Sequence, residues 1–267
     1  MHLKRIIVAI ILLPFLYFYV VFLPPKFFFF LMILISTLAL SEFYSMYHVS
    51  GILRYAGLLF GLSVLGISYV SRAHLPDVIV AAIMVAIVVR LVSRRDPASS
   101  LSDVAPVVVG LLYIPALLSF QVEIRKFGAE WIIFLYGMVW ASDSLAYYVG
   151  KGIGKRKLYI EVSPNKTVAG AAGSLVGGTS GALILKAVLV PQLEAVPAAV
   201  IGIMVAIISI IGDLVESMFK RDAGVKDSGG LIPGHGGMLD KVDGALYAGP
   251  LLYWILKFIY TKQGIGL

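Results

Sequence analysis

The sequence predicts an all-α polytopic membrane protein of about nine transmembrane helices, with a polar cavity that faces the cytoplasm. Sixty per cent of the 267 residues are hydrophobic, and the mean hydropathy is +0.94. Only 14% of the residues are charged, whereas soluble domains have about 25%. There is no long polar block, so a separate soluble domain is not expected. Cysteine is absent, which excludes disulfide and thiolate chemistry.

Apolar runs of bilayer-spanning length, separated by charged residues, proline or glycine, give the expected helices. These are 5–23, 27–47, 52–70, 76–92, 103–121, 130–149, 167–190, 197–219 and 242–260. Lys4 and Arg5 precede the first run, as they would in a signal peptide. Because this run is long and no small-residue cleavage site precedes Pro24, we expect a retained helix.

The distribution of lysine and arginine predicts the orientation. With a cytoplasmic N-terminus, fifteen of these residues fall on the cytoplasmic side and seven on the other. This arrangement places the polar loops 150–166 and 220–241 on the cytoplasmic face of the cell (inner) membrane. The net charge of +7 suits anionic headgroups or nucleotides, but it also follows from ordinary membrane topology.

The seventh predicted helix carries a stripe of small residues at four-residue spacing. Its members are Ala169, Gly173, Gly177 and Gly181. Such a stripe lets two helix backbones approach closely. We favour packing within one chain over a dimer contact.

Four aspartates are candidate metal ligands. Asp240 and Asp243 are three residues apart and share a face if the last helix begins near them. Asp213 and Asp143 follow apolar runs, where a charge costs about 2.5–3.5 kcal/mol and usually marks function. Carboxylates crowded at one membrane face repel one another unless cations lie between them, and hard oxygen ligands favour Mg²⁺.

Other acids have simpler interpretations. Asp227 is equally compatible with a solvated loop charge. Glu216, four residues before Lys220, is consistent with an ion pair on a helix surface. Glu42 interrupts an apolar run, and we interpret it as interfacial.

The stretch 217–243, SMFKRDAGVKDSGGLIPGHGGMLDKVD, is the most polar and glycine-rich part of the chain. Lys220, Arg221 and Lys226 are suited to neutralising phosphates, although Arg221 is equally suited to anionic headgroups. Its glycines allow backbone N–H groups to approach an anion. His235 either donates to a phosphate or holds the glycine turn.

A second polar cluster, Ser163–Thr167, precedes the seventh helix. Lys166 and Thr167 are expected at the N-terminus of that helix, where free N–H groups and the helix dipole attract anions. The pair lacks the full spacing of a P-loop.

The stretch 217–243 resembles the signature of the CDP-diacylglycerol synthase (phosphatidate cytidylyltransferase) family: S-x-x-K-R, four residues, K-D, then H-G-G-x-x-D-R-x-D. Lys241 stands where the family has arginine, which keeps the charge but loses the bidentate fork. Two further runs are similar to the family, DSLAYYVG at 143–150 and SPNKTVAG at 163–170. The first five predicted helices match only in hydrophobicity.

The resemblance implies metal-dependent nucleotidyl transfer from CTP to phosphatidic acid, giving CDP-diacylglycerol and pyrophosphate in phospholipid biosynthesis. It implies Mg²⁺ as cofactor and leaves open a second, monovalent cation. The implied partners are CTP, phosphatidic acid, membrane lipid and a second copy in a homodimer, and no nucleic acid is expected. We expect a single membrane unit in which 1–125 form a scaffold of about five helices and 126–267 carry the catalytic motifs on about four.

The resemblance also assigns roles to residues. The expected catalytic residues are Asp213, Asp240, Asp243 and Lys226. Asp213, Asp240 and Asp243 are expected to hold metal, with Asp143 and Asp227 as further candidates. The expected substrate-binding residues are Ser163, Lys166, Thr167, Lys220, Arg221, His235, Gly236 and Gly237.

Two alternatives stay open. A CTP-dependent polyprenol kinase would resemble this architecture but would transfer a γ-phosphoryl group to an alcohol and release CDP. An ion-coupled transporter would also place aspartates within helices, but it would move substrate without CTP turnover and has no need of the glycine-rich basic loop.

Overall fold

The computed structural model describes residues 14, 17–94, 96–230 and 236–262. The helices are α1 (Pro25–Met46), α2 (Gly51–Val70), α3 (Leu75–Ser93), α4 (Ser100–Tyr113), α5 (Pro115–Phe127), α6 (Ala129–Ile153), α7 (Val168–Leu189), α8 (Ala195–Asp222) and α9 (Leu239–Lys262). A short 3₁₀ helix, Arg72–His74, precedes α3. Two strands, β1 (Lys157–Tyr159) and β2 (Ser163–Thr167), form a small sheet.

Seven segments in the described part of the chain are long and apolar enough to cross a membrane. They are Pro25–Met46, Gly51–Val70, Arg72–Ser93, Ser100–Phe127, Ala129–Ile153, Val168–Leu189 and Ala195–Asp222. The all-α polytopic class is therefore confirmed. The count of nine stays a prediction, because most of the expected helix 5–23 lies outside the described residues and α9 is not one of the seven.

The helix expected at 103–121 is interrupted in the structure. The α4 helix ends at Tyr113, and α5 begins at Pro115. A proline has no N–H to donate to the preceding turn, and it disfavours helical geometry in the residue before it. Ile114 stays in the right-handed helical region but departs from ideal helix geometry, with φ −101° and ψ −74°.

The loop predicted at 150–166 contains an unexpected hairpin. Strands β1 and β2 are antiparallel, with Lys157 opposite Thr167 and Tyr159 opposite Ser163. The second strand runs directly into α7. The hairpin therefore fixes the residues that lead into the N-terminus of α7.

The chain divides into two compact units. Unit 1 contains Leu23–Glu123 and Ala223–Lys241, together with the residues up to Tyr19. Unit 2 contains Val20–Phe22, Ile124–Asp222 and the chain from Val242 onward.

In unit 1, Tyr44 of α1 is completely buried at a contact of three helices. A Cβ atom on Gly57 of α2 would lie 2.5 Å from the Tyr44 hydroxyl oxygen. A Cβ atom on Gly110 of α4 would lie 2.8 Å from the Tyr44 ring, so both positions need glycine. At one end of this unit, the buried Arg90 Nε donates to Asp103 Oδ2 at 2.6 Å, which ties α3 to α4.

In unit 2, the small-residue stripe packs α7 against α6, as the sequence predicts. A Cβ atom on Gly177 would lie 2.4 Å from the carbonyl oxygen of Ala141, and one on Gly181 would lie 2.9 Å from Ala141 Cβ. An adjacent face of α7 meets α8, where a Cβ atom on Gly178 would lie 2.6 Å from the carbonyl oxygen of Gly202. The α7 helix thus lies between α6 and α8.

The approach of α8 to α9 is equally close. A Cβ atom on Gly212 would lie 2.6 Å from the carbonyl oxygen of Asp243, and one on Gly244 would lie 2.3 Å from Ser209 Oγ. Each glycine is next in sequence to an aspartate, Asp213 or Asp243. The contact therefore brings together the backbone segments that carry these two acids.

Candidate active site

Three carboxylates from two helices of unit 2 converge. Asp213 and Glu216 are three residues apart on α8 and share a face of that helix. Asp243 approaches them from α9. The ligand oxygens of the three side chains all lie within 4.8 Å of one another. We call these residues the acidic trio.

Two lysines neutralise part of the acidic trio. Lys166 Nζ lies 2.6 Å from Asp213 Oδ2, and their side chains are 23% and 38% exposed. Lys220 forms an ion pair with Glu216, one turn earlier on α8. The Glu216 side chain is only 1% exposed, so this pair is buried, and the expectation of a surface ion pair is wrong.

Asp143 of α6 extends the acidic cluster. It interacts electrostatically with Asp213 and Lys166, and Asp243 interacts with both Asp143 and Lys220. Four carboxylates and two ammonium groups leave a net charge of −2 when all are ionised. A single divalent cation would balance this charge.

The donor set fits a hard cation. The acidic trio offers only carboxylate oxygens, which are the ligands that Mg²⁺ and similar ions prefer. Because Glu216 lies on the same helical face as Asp213, one helix supplies two donors. In the described part of the chain, these residues form the group of three acidic side chains whose oxygens lie close enough to share one metal ion.

The hairpin positions the residues predicted to bind substrate in the second cluster. Lys166 lies in β2, two residues before α7 begins at Val168, and Ser163 begins the strand. Thr167 is buried, and its Oγ1 accepts a hydrogen bond from the Gly170 N–H at 3.0 Å, which caps α7. Arg221 Nε donates to the carbonyl oxygen of Val162 at 3.3 Å, so Arg221 is attached to the hairpin turn.

The remaining predicted residues belong to unit 1. Lys226 and Asp227 are exposed. Asp240 Oδ2 accepts hydrogen bonds from the Gly237 N–H at 2.8 Å and the Ser228 N–H at 3.0 Å. Gly236 has φ +80°, a conformation that favours glycine. His235 lies outside the described residues.

Sequence reasoning assigned no ligand role to Glu216. The i, i+4 spacing to Lys220 explains Glu216 as part of an ordinary ion pair on a helix surface. This explanation does not consider the spacing of Glu216 to Asp213. Glu216 is also three residues from Asp213, which places the two carboxylates on one face. That shared face is the signal that identifies Glu216.

Comparison with known proteins identifies the family. A sequence model of the cytidylyltransferase family matches residues 3–259. The chain belongs to the cytidylyltransferase family. Phosphatidate cytidylyltransferase of Bacillus subtilis is 40% identical over 157 residues, which is 58% of this chain and 58% of that protein.

Two further relatives are also named phosphatidate cytidylyltransferase. Phosphatidate cytidylyltransferase of Brucella melitensis is 46% identical over 130 residues, 48% of this chain and 47% of that protein. The Thermotoga maritima protein is 34% identical over 182 residues, 65% of this chain and 66% of that protein. The matched part thus spans between about half and two thirds of these relatives.

Proposed function

We propose that the protein transfers a cytidylyl group from CTP to phosphatidic acid and releases CDP-diacylglycerol and pyrophosphate. The observation that carries this proposal is the acidic trio, flanked by two lysines, in a chain of the cytidylyltransferase family. The names of the bacterial relatives support the choice of substrates.

The reaction joins two anions. A phosphate monoester has its second pKa near 6, so phosphatidate is largely a dianion at neutral pH and needs no strong general base. One of its oxygens attacks the α-phosphorus of CTP, and the bond from that phosphorus to the bridging oxygen breaks. The bridging oxygen leaves with the electron pair as part of pyrophosphate. The main obstacle is electrostatic repulsion between the substrates.

The site residues are suited to this obstacle. Asp213, Glu216 and Asp243 would hold Mg²⁺, which when bound supplies positive charge that neutralises phosphate oxygens. Lys166 and Lys220 add ammonium groups beside the same carboxylates. Both lysines are therefore placed to attract phosphates.

The other assigned residues complete the proposal. Asp143, Asp227 and Asp240 stay candidate metal ligands. The further candidates for contact with substrate phosphates are Arg221, Lys226, His235, Gly236, Gly237, Ser163 and Thr167. The site faces the cytoplasm, as the lysine and arginine bias supports, and the acyl chains stay in the lipid.

Product identification tests the proposal. Purified protein is incubated with CTP labelled at the α-phosphate, phosphatidate and Mg²⁺. We expect the label in CDP-diacylglycerol and an equal amount of pyrophosphate. Label in CDP with a polyprenol acceptor would instead identify the kinase, and flux into sealed vesicles without CTP turnover would identify the transporter.

Substitution of the acids tests their roles. Asp243→Asn keeps the side-chain shape and removes a charged ligand, so product formation should fall by about 10²-fold or more. Asp240→Asn tests the metal role predicted for Asp240 in the same assay. Asp77→Asn is the matched control, because Asp77 of α3 is 79% exposed and its carboxylate lies 3.6 Å from the imidazole of His74. Undiminished activity in Asp243→Asn would refute the ligand role of Asp243.

A further inference from the structure

Glu42 is an acid within the apolar helix α1 that no part of the proposed chemistry uses. It lies four residues before the end of the helix at Met46 and is half-buried. Placing a charge in an apolar helix is costly, so its side chain is expected to find polar partners. In unit 1 it finds them at both ends of the glycine-rich stretch 228–238.

The Glu42 carboxylate caps the N-terminus of α9. Oε1 accepts a hydrogen bond from the Met238 N–H and Oε2 accepts one from the Leu239 N–H, each at 2.9 Å. The first N–H groups of a helix have no partner within that helix, and they form its positive end. A carboxylate from α1 therefore satisfies both the hydrogen bonding and the charge of the α9 terminus.

The other end of the stretch is attached to the same carboxylate through Ser228. Ser228 Oγ lies 3.1 Å from Glu42 Oε2 and 2.9 Å from Asp240 Oδ2. A hydroxyl has one proton to donate, so Ser228 bridges the two carboxylates by donating to either one. Asp240 also accepts from the Ser228 N–H, which fixes the serine backbone.

Two glycines make room for Glu42. A Cβ atom on Gly237 would lie 2.4 Å from Glu42 Oε2, and one on Gly229 would lie 2.7 Å from Oε1. Any larger residue at either position would displace the carboxylate. These two glycines are therefore explained by contact with Glu42 as well as by any approach of a phosphate.

We propose that Glu42 is a positioning residue, which holds Ser228 and the start of α9 so that the described backbone next to each of them, together with Lys226, is set for the phosphates of CTP. The consequence for catalysis rests on the proposed function. The hydrogen bonds between Glu42 and the stretch are observed independently of that function. Glu42 itself contacts no reacting atom in this assignment and acts through the backbone that it holds.

The test combines amide hydrogen exchange with kinetics on full-length protein in detergent. Glu42→Gln keeps the side-chain shape but replaces one acceptor oxygen with a donor, and Glu42→Ala removes both acceptors. We expect exchange at Met238 and Leu239 to be faster by about tenfold or more in Glu42→Ala, and by less in Glu42→Gln, because charge-assisted hydrogen bonds are lost. Exchange in α7 should not change.

The kinetic arm separates positioning from a structural role. We expect the KM for CTP to rise by about tenfold, which is the change in affinity that loss of one charge-assisted hydrogen bond produces. The KM for phosphatidate should change little. Thr37→Val is the matched control, since Thr37 is a polar residue of α1 whose hydroxyl donates to the Ile33 carbonyl oxygen. This control should leave exchange and both KM values unchanged.

Each outcome decides the proposal. Unchanged exchange at Met238 and Leu239 in Glu42→Gln and, if it folds, Glu42→Ala would overturn the proposal. Faster exchange with an unchanged KM for CTP would overturn the positioning role and leave a structural one. If the wild type does not turn over CTP but exchange is faster in the Glu42 variants, the attachment of the stretch is supported and the proposed function is refuted.

Discussion

Glu216 and Lys220 form the most enclosed ion pair of the candidate site. The Glu216 side chain is 1% exposed and that of Lys220 is 10% exposed, so water screens their charges poorly. Removing two charges from water is costly, and each partner offsets the cost only while the other is present. The pair is therefore better explained by a function that needs a buried carboxylate than by stability.

Single and double substitutions of this pair should give unequal losses of stability. Lys220→Met leaves the Glu216 carboxylate buried without this partner, which costs about 3–5 kcal/mol of unfolding free energy. The double variant Lys220→Met/Glu216→Gln removes both charges and should recover most of that loss. Thermal unfolding in detergent measures the difference. If the stability loss of the double variant equals the sum of the losses from the two single substitutions, the coupling between Glu216 and Lys220 is contradicted.

At the scale of elements, glycines decide how closely the helices of unit 2 approach. Gly177 brings α7 against Ala141 of α6, and Gly212 brings α8 against the backbone of Asp243. Helices in lipid gain no hydrophobic free energy by associating with one another. Close backbone contact is therefore a main source of helix association. The acidic trio depends on this spacing, because its members come from α8 and α9.

Gly177→Ala tests the contact between α6 and α7. The added methyl would lie 2.4 Å from the Ala141 carbonyl oxygen, so the helices must separate, at a cost of about 1–3 kcal/mol. Gly66→Ala is the control, because among the described residues no atom outside the adjoining helix backbone lies within 4 Å of a Cβ there, and alanine favours helix. We expect a lower unfolding midpoint for Gly177→Ala only. Equal midpoints would show that the contact contributes little.

At the scale of the molecule, the orientation can be measured because the chain has no cysteine. A cysteine introduced at Lys157 of the hairpin should react with a membrane-impermeant thiol reagent only from the cytoplasmic side. One introduced at Lys126 near the end of α5 should react only from the opposite side. Labelling of intact cells and of inverted vesicles distinguishes them. The reverse pattern would overturn the predicted topology.

Hydrophobicity predicts most of the fold, because spans of apolar residues leave few alternatives to helices in a membrane. The bounds of α6, α7 and α8 follow the expected 130–149, 167–190 and 197–219 within a few residues. The hairpin is not predictable in this way, since its short strands are polar and depend on pairing with each other.

The site is predictable in part. Asp213 stands out because it breaks an apolar run, and Asp243 stands out by its spacing to Asp240 and by the family resemblance. The structure brings Asp213 and Asp243 together. Glu216 and Glu42 were harder to interpret, because a nearby lysine or a membrane interface explains each of them locally. Their partners are fixed by contacts between helices, which a single sequence does not show.

The acidic trio is expected to hold a cation, and binding of Mn²⁺ followed by electron paramagnetic resonance tests this most directly. Mn²⁺ prefers the same hard oxygen ligands as Mg²⁺. In a zwitterionic detergent, the wild type and Asp77→Asn should bind the ion alike, whereas Asp213→Asn and Asp243→Asn should each raise the Kd by about tenfold or more. Wild-type affinity in both of these variants would contradict the account.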